Sequence, residues 1–523
     1  MNNQKFIFSI IIAIYNTEKY LEEAINSVIN QSFDFNKVQL VLVDDGSTDN
    51  SLEICKSYKT KFPSNIVVIS QENQGQSTAR NVGLKNALGK YVNFLDSDDK
   101  LELNALEEAY NFFKIHDEEI DVVVIPRYYF DAVNRPMHSH NKFDKNRVVD
   151  INSEFNFPQV SISAAFTRLS ALPEDFSTKL IISEDSLLIN KTILNKAKFG
   201  VVGTTKYLYR KRFEENSTID TKKFNKDYYI PRMNYYFKEL IDYSNMKYGK
   251  VLRYIQSVIM YDFQWLFIED TATNVLNKSE LKEYCDNIKS ILQEIDDDII
   301  LSQQYLNKFY EYHILNIKYD SPNFKTVISE NDVLLEYDNT FFDKLTDHNI
   351  IITELTTKYN LVKIIGFFES CLEDTSIVGF KNEIPLKIQR FYGDDYYAMG
   401  EKISKRFYFE VIVELDKGVN DFSFNVNFNN ESYPIDIYST LENINYSKNH
   451  LYINLNDADV NTVIDKFPII KRELDYKEYK IQELEIKIEK LQDDIKMNKK
   501  EKQELINNLK RYKNRYVDLK KNI

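Results

Sequence analysis

Apolar runs and amphipathic stretches alternate along the first hundred residues. Phe6 to Tyr15 is β-branched and apolar on both faces, as a strand covered on two sides requires. Tyr20, Leu21, Ala24, Ile25 and Val28 follow at helical spacing, with Thr17 placed to cap that helix. Val38 to Val43 reads as a second buried strand and Asn50 to Lys61 as a second helix. Ile66 to Ser70 reads as a third strand, Ala79-Arg80-Asn81-Val82-Gly83 as part of a third helix, and Lys90 to Leu95 as a fourth strand. This β-α-β-α-β-α-β succession predicts an α/β domain with an open parallel sheet and right-handed crossovers. Ligands of such sheets bind beyond the carboxyl ends of the strands. Asp44 and Asp45, Asn73, and Asp96 with Asp98 all fall there.

The period then changes twice. From about Asp227 to Asp320 it is helical, with Leu252, Ile255, Ile259 and Phe263 on one seam and Leu281, Cys285, Ile288 and Leu292 on another. Cys285 is expected to be a small core residue, and Trp265 to pack in the core, with an acceptor-facing place as the alternative. Around Asn349 the period becomes two. Phe407, Phe409, Val411, Val413 and Leu415 alternate, and after Asp416-Lys417-Gly418 so do Phe422, Phe424, Val426 and Phe428, which predicts a hairpin in a β-sandwich-like domain. Last, Ile481, Leu484, Ile488, Leu491, Ile495, Asn498, Lys502, Leu505, Leu509, Tyr512, Tyr516, Leu519 and Ile523 step by three and four, a coiled coil suited to a homo-oligomer, dimer or trimer. The expected division is 1–220 catalytic, 221–348 a helical linker domain, 349–467 the β-sandwich-like domain and 468–523 the coiled coil.

Composition narrows the partners. At 523 residues the chain exceeds one compact core, and its net charge of −13 argues against a nucleic-acid surface over its whole length. Three scattered cysteines (Cys55, Cys285 and Cys371) offer neither a disulfide framework nor a zinc spacing. The 36 Tyr and 34 Phe suit carbohydrate contact, and equally a general bias of composition. The run from Phe6 to Tyr15 is too short to span a bilayer, so a cytoplasmic protein is expected, with a peripheral place at the inner face of the membrane as an option.

Phe94-Leu95-Asp96-Ser97-Asp98-Asp99 carries the chemistry. Acids at the end of a buried strand cost several kcal/mol each unless paired or metal-bound. Magnesium takes one or two carboxylates and completes its shell with substrate phosphate, so Asp-X-Asp suits a metal shared with a nucleotide diphosphate. An ordinary turn is the alternative for this segment alone.

Ile12-Ala13-Ile14-Tyr15-Asn16, Val43-Asp44-Asp45-Gly46-Ser47-Thr48-Asp49, Asn73 to Asn81 and Phe94 to Asp99 together resemble the family 2 glycosyltransferases over roughly residues 5 to 215. Those enzymes have the GT-A fold, use nucleotide sugars and invert the anomeric centre. Ala13 departs from the family, which usually has Pro there. The resemblance implies that Asp44 accepts from the uracil N–H, with Ala13 and Tyr15 lining the base, and that Asn73 and Arg80 hold the nucleotide. Asp96 would meet the ribose, with Ser97 also a substrate-binding candidate, and Asp98 would ligate Mn²⁺ or Mg²⁺. Asp45 would turn the chain and cap the next helix, and Asp99 would start a helix or be solvated. Asp185 would be the general base and Glu184 would help seat donor or acceptor, although Ser183-Glu184-Asp185 also fits a plain helix start with Ser183 as N-cap. Among Arg210, Lys211 and Arg212 a basic group would neutralise the departing diphosphate; Arg212 joins the substrate-binding candidates.

The expectation is a metal-dependent inverting glycosyltransferase. It would move a sugar from a UDP-sugar, UDP-GlcNAc or UDP-glucose, to a hydroxyl of a cell-surface polymer such as teichoic acid or capsule. The acceptor would be polymeric or lipid-linked. A degenerate transferase domain serving as an oligomeric carbohydrate-binding scaffold is the alternative.

Overall fold

The computed structural model describes residues 5–454, apart from 138–140, 213–221, 270, 320–321, 330–331, 359, 373–374, 392–395, 399–400, 440 and 442–444. The coiled-coil expectation for 468–523 lies outside the described residues. The chain divides into two compact units, residues up to 319 and residues from 320 onward, with 398–400 grouped with the first.

The first unit opens with β1 (Phe6–Ile14), α1 (Leu21–Ile29), β2 (Val38–Asp44), α2 (Ser51–Lys61), β3 (Ile66–Ser70), α3 (Gln76–Lys85) and β4 (Gly89–Phe94). Next come β5 (Lys100–Leu101), α4 (Ala105–Ile115), β6 (Val122–Val124), β7 (Arg127–Asp131), β8 (Arg135–Pro136) and β9 (Arg147–Asp150). Then β10 (Ala165–Arg168), α5 (Glu184–Ile193), β11 (Lys198–Val201) and β12 (Tyr207–Lys211) follow. Eight strands form one sheet in the order β3-β2-β1-β4-β10-β6-β11-β9. The β3-β2-β1-β4 half is parallel, and β10 runs antiparallel to both β4 and β6. Every residue of β2 is buried, as apolar residues on both faces require. Phe8, Ile10, Leu40, Leu42, Tyr91, Phe113 and Phe166 join α1 and α4 in one core. Burying each large side chain contributes about 1.5–3 kcal/mol. The parallel register sets Ile14 opposite Asp44 and Asp44 opposite Ser70, so these strands end together.

Thr17 does not cap α1. The helix begins at Leu21, whose N–H bonds to the Thr17 carbonyl at 3.0 Å, and the Thr17 hydroxyl is buried with no partner. A second small sheet, β5-β12-β7-β8, carries Tyr207 to Lys211 toward the acids after β4.

Helices Lys238–Tyr248, Arg253–Glu269, Lys278–Leu292 and Lys308–Lys318 belong to the same unit as the sheet. Tyr254 Oη donates to Asn190 Oδ1 at 2.9 Å, and the Ser186 and Tyr236 hydroxyls are 2.8 Å apart, tying this layer to α5. Cys285 is half-buried rather than core; Tyr284, Ile288, Ile291 and Leu292 form the inward seam, one step round the helix from the expected one. Trp265 is half-buried rather than core, packing on the exposed Tyr305 with ring centroids 5.0 Å apart. Among the described residues no helix is long and apolar enough to cross a membrane.

Strands begin at Phe324, well before residue 349, in a three-stranded sheet of Phe324–Ile328, Val333–Tyr337 and Thr340–Lys344. Two six-stranded sheets follow. The strands Glu401–Glu414 and Val419–Phe428 are not a hairpin. The first pairs with Leu361–Ser370, and the second with Ser376–Lys381 and His450–Asn454 in the other sheet. Phe409 and Phe424 meet with ring centroids 5.1 Å apart. Alternation identifies a buried face without saying whether the next strand lies beside it or opposite it.

Candidate active site

The strand ends frame a cleft of about 640 Å³, lined by Ala13, Tyr15, Thr17, Asp45, Asn73, Ser97, Asp98 and Arg212 among others. Tyr15 is 50% exposed, and an aromatic ring on the cleft wall suits contact with a planar ligand. Asn73 is exposed at the rim.

Asp44 and Asp45 divide their work according to the pleat. Asp44 is buried below the cleft, accepting from Ser47 N–H at 3.3 Å and Ser70 Oγ at 3.1 Å. Asp45 turns toward the loop before α3 and accepts from Gln71 Nε2 at 2.7 Å, Gln74 N–H at 3.0 Å and Gly75 N–H at 2.9 Å. It holds that loop rather than capping α2. Gly46 is required beside it: its φ is +77°, and a Cβ there would lie 2.9 Å from the Asn73 nitrogen.

Helix α3 directs Arg80 inward, 5% exposed, where it joins acids from two distant segments. Its Nη2 donates to Asp96 Oδ1 at 2.8 Å and its Nη1 to Glu184 Oε1 at 3.3 Å, with the guanidinium 5.3 Å from the centre of the Phe176 ring. Burial works to lower the Arg80 pKa, but Asp96, Glu184 and Asp185 together raise it. Glu184 is raised by burial and by Asp185, against the pull of Arg80. Asp185 is raised by burial and by Asp96, with Arg80 and the backbone N–H groups of Ser186 and Ile162 opposing. Ser183 has φ +70° and makes no side-chain cap, so these acids do not sit in a capping box. A raised, partly exposed carboxylate at a helix start is suited to accepting a proton.

The acids after β4 also separate. Asp98 faces the cleft and pairs with Arg212 Nη2. Burial and the charge of Asp96 raise its pKa, with Arg212 opposing. Asp99 is neither a helix start nor solvated: it is 2% exposed, accepting from Tyr207 Oη at 2.8 Å and Arg210 N–H at 2.8 Å. Arg210 is engaged by Glu23 and Asp131, each at 3.0 Å, whereas Arg212 reaches the cleft.

The structure thus places Ala13, Tyr15, Asn73, Ser97, Asp98 and Arg212 on the cleft wall. It joins Arg80, Asp96 and Glu184 in one buried cluster beside Asp185, and sets Asp44 beneath the floor. Sequence reasoning missed the parts played by Asp45, Asp99, Tyr207 and Gln76, the last donating to Asp96 Oδ1 at 3.2 Å. Among the described residues no group of three His, Cys, Asp or Glu is arranged to hold a metal.

Residues 9–174 match the glycosyl transferase family 2 model. The chain is 35% identical over 419 residues to the minor teichoic acid biosynthesis protein GgaB of Bacillus subtilis (strain 168), covering 77% of this chain and 46% of GgaB, so it spans about half of that relative. It is 37% identical over 322 residues to GgaA of the same organism, covering 59% of this chain and 72% of GgaA. Poly(ribitol-phosphate) β-N-acetylglucosaminyltransferase TarS of Staphylococcus aureus (strain Mu50) is 29% identical over 226 residues, 42% of this chain and 38% of TarS. The solved structure of S. aureus TarS 1–349 in complex with UDP-GlcNAc overlays with a TM-score of 0.48 at 21% identity, covering 65% of this chain and 99% of that one, too loosely for residue correspondences. The family model, laid over the sheet and its strand-end acids, and the extent of likeness to GgaA lead to one conclusion: the chain belongs to glycosyl transferase family 2.

Proposed function

We propose that this protein transfers a sugar from a UDP-sugar to a hydroxyl of a teichoic-acid-type polymer, inverting the anomeric centre. The observation that carries the reading is the Arg80 bridge, which binds Asp96 at the donor cleft to Glu184 beside Asp185. Donor and acceptor chemistry would meet across that bridge. The polymer acceptor is inferred from relatives named for teichoic acid biosynthesis and poly(ribitol-phosphate) glycosylation. The uridine follows from family membership, and UDP-GlcNAc and UDP-glucose are the donors we would try first.

Tyr15 and Ala13 would line the base, and Asp44 would take the uracil N–H in exchange for its hydrogen bond from Ser70. Asn73, Ser97 and Asp96 would hold the ribose and its surroundings. Asp185 would remove the proton as the acceptor hydroxyl attacks the anomeric carbon in line and the bond to the diphosphate breaks. Glu184 would seat the reacting sugar, and Arg212 would offset charge on the leaving diphosphate.

Asp98 is the single carboxylate that we propose as the protein's ligand to a divalent cation. It faces the cleft and pairs with the cationic Arg212. Burial and the charge of Asp96 work against its ionisation, a cost that a bound cation would offset. Asp98 would hold Mn²⁺ or Mg²⁺ with substrate phosphate completing the shell. Such an ion would supply Lewis-acid stabilisation of the departing diphosphate. Retention of Asp98, Glu184 and Asp185 favours an enzyme over a degenerate scaffold. We also propose that residues 468–523 assemble the chain into an oligomer, which would gain avidity on a repeating acceptor. The direct test is release of UDP from a panel of UDP-sugars, with and without a teichoic-acid polymer.

A further inference from the structure

Lys142 is a buried amine with no carboxylate partner among the described residues. It is 4% exposed, and its Nζ donates to the Pro158 carbonyl and Gln159 Oε1, both at 3.2 Å. Both acceptors are neutral. The other buried cations, Arg80, Lys191, Arg210, Arg232, Lys318 and Lys381, each pair with a carboxylate. Among the described residues Lys142 alone does not. A buried amine without a counterion is costly to charge, and an anion brought from outside would supply the missing partner.

The surroundings supply a place for one. Lys142 lines a cavity with Arg127, Gln159, Ser161 and Tyr261, and no described lining residue is acidic. Arg127 makes no ion pair among the described residues, so two cations face one space without an acid between them. The cavity gives about 40 Å³ to the centres of water-sized groups. One water needs roughly 10–15 Å³ on that measure, so a tetrahedral oxyanion fits. Burial, with the charge of Arg127 added, pushes the Lys142 ammonium down to about 7.

The cavity adjoins the acceptor side of the proposed active site. Ser161 of its wall directly precedes Ile162, a residue outside the lining whose backbone N–H bonds to the Asp185 carboxylate. Asn190 of α5 donates to the Gln159 carbonyl at 2.8 Å. Arg127 follows β6, which is parallel to β11 and antiparallel to β10, as β4 is, so it leaves the sheet at the edge where Asp96 stands.

We propose that Lys142 and Arg127 form a phosphate pocket that takes a phosphodiester of the acceptor chain next to the reacting hydroxyl. The acceptor placement rests on the transfer reading above, whereas the anion pocket does not. An ammonium and a guanidinium fork together suit phosphate oxygens.

The test uses the full chain saturated with UDP, so that the donor cleft is blocked. Binding of inorganic phosphate and of dimethyl phosphate is followed by ³¹P NMR in wild type, Lys142→Met and Arg127→Gln. Both probes are expected to bind the wild type, and each substitution to weaken them about tenfold or more with UDP affinity unchanged. The same variants should raise KM for poly(ribitol phosphate) while leaving kcat unchanged. Arg127 lies partly exposed at a strand start, so Arg127→Gln carries the test if Lys142→Met fails to fold. Inorganic phosphate binding without dimethyl phosphate binding would keep the pocket and overturn its acceptor placement. Absent binding in wild type, or equal binding in the variants, would overturn the pocket itself. Failure to bind UDP with phosphate binding intact would count against the transfer reading and leave the pocket standing.

Discussion

Arg80→Met probes the bridge on which the proposed chemistry depends. The guanidinium is 5% exposed and compensates Asp96 and Glu184 directly, with Asp185 close enough to shift it. Removing one partner of a buried ion pair costs about 3–5 kcal/mol, because the remaining charge stays buried and unpaired. The cost should depend on pH, and its sign follows from linkage. Glu184 and Asp185 already have folded pKa values raised above their unfolded ones, and Arg80 is the group that opposes the rise. Without it both rise further. An acid raised on folding binds more protons in the native state than in the unfolded one between its two pKa values. Stability is then lost as pH climbs through that window, and the loss is complete above the folded value. The penalty should therefore be smallest near the unfolded carboxylate range of about 4 and largest in alkaline buffer. Trp265 is the only tryptophan and lies in the first unit, so its fluorescence during urea unfolding reports on the relevant structure. A penalty below about 1 kcal/mol, the worth of an exposed pair, would refute the reasoning, as would equal penalties at pH 5 and pH 8.

Asp185→Asn should lower transfer by about 100-fold or more while UDP affinity, measured by calorimetry, stays within twofold or so; loss of UDP binding would contradict the base assignment. Gly46→Ala forces a side chain to φ +77° and against the Asn73 nitrogen, so thermal unfolding should register about 1–3 kcal/mol of destabilisation together with weaker UDP binding. Truncation after Lys471 should give a monomer by light scattering, and an unchanged assembly would remove the oligomerising role proposed for the tail.

The sheet was legible because a doubly covered strand must be apolar on both faces, and β1, β2 and β4 are. Their polar ends were legible for the same reason: acids following such strands have no place in the core. What each acid does was not legible. Asp98 and Asp99 are adjacent, yet one faces the cleft and the other is sealed by Tyr207 and Arg210, which stand more than a hundred residues away. Arg80 finds Glu184 across 104 positions, a pairing no local pattern announces. Thr17 looked like a cap because its residue type suits one, but α1 starts later and the backbone carbonyl of Thr17 does the work. In the second unit, alternation at Phe409 and Phe424 gave the inward faces correctly. It could not distinguish strands that are neighbours in one sheet from strands that face each other across two.

Release of UDP tests the central claim most directly. The full chain would be incubated with a panel of UDP-sugars and Mn²⁺, with and without poly(ribitol phosphate), then with EDTA and as Asp98→Ala. Turnover of one donor, accelerated by the polymer and lost on both controls, is the result predicted here. Failure to bind UDP at all, together with no release from any donor in the presence of polymer, would contradict it.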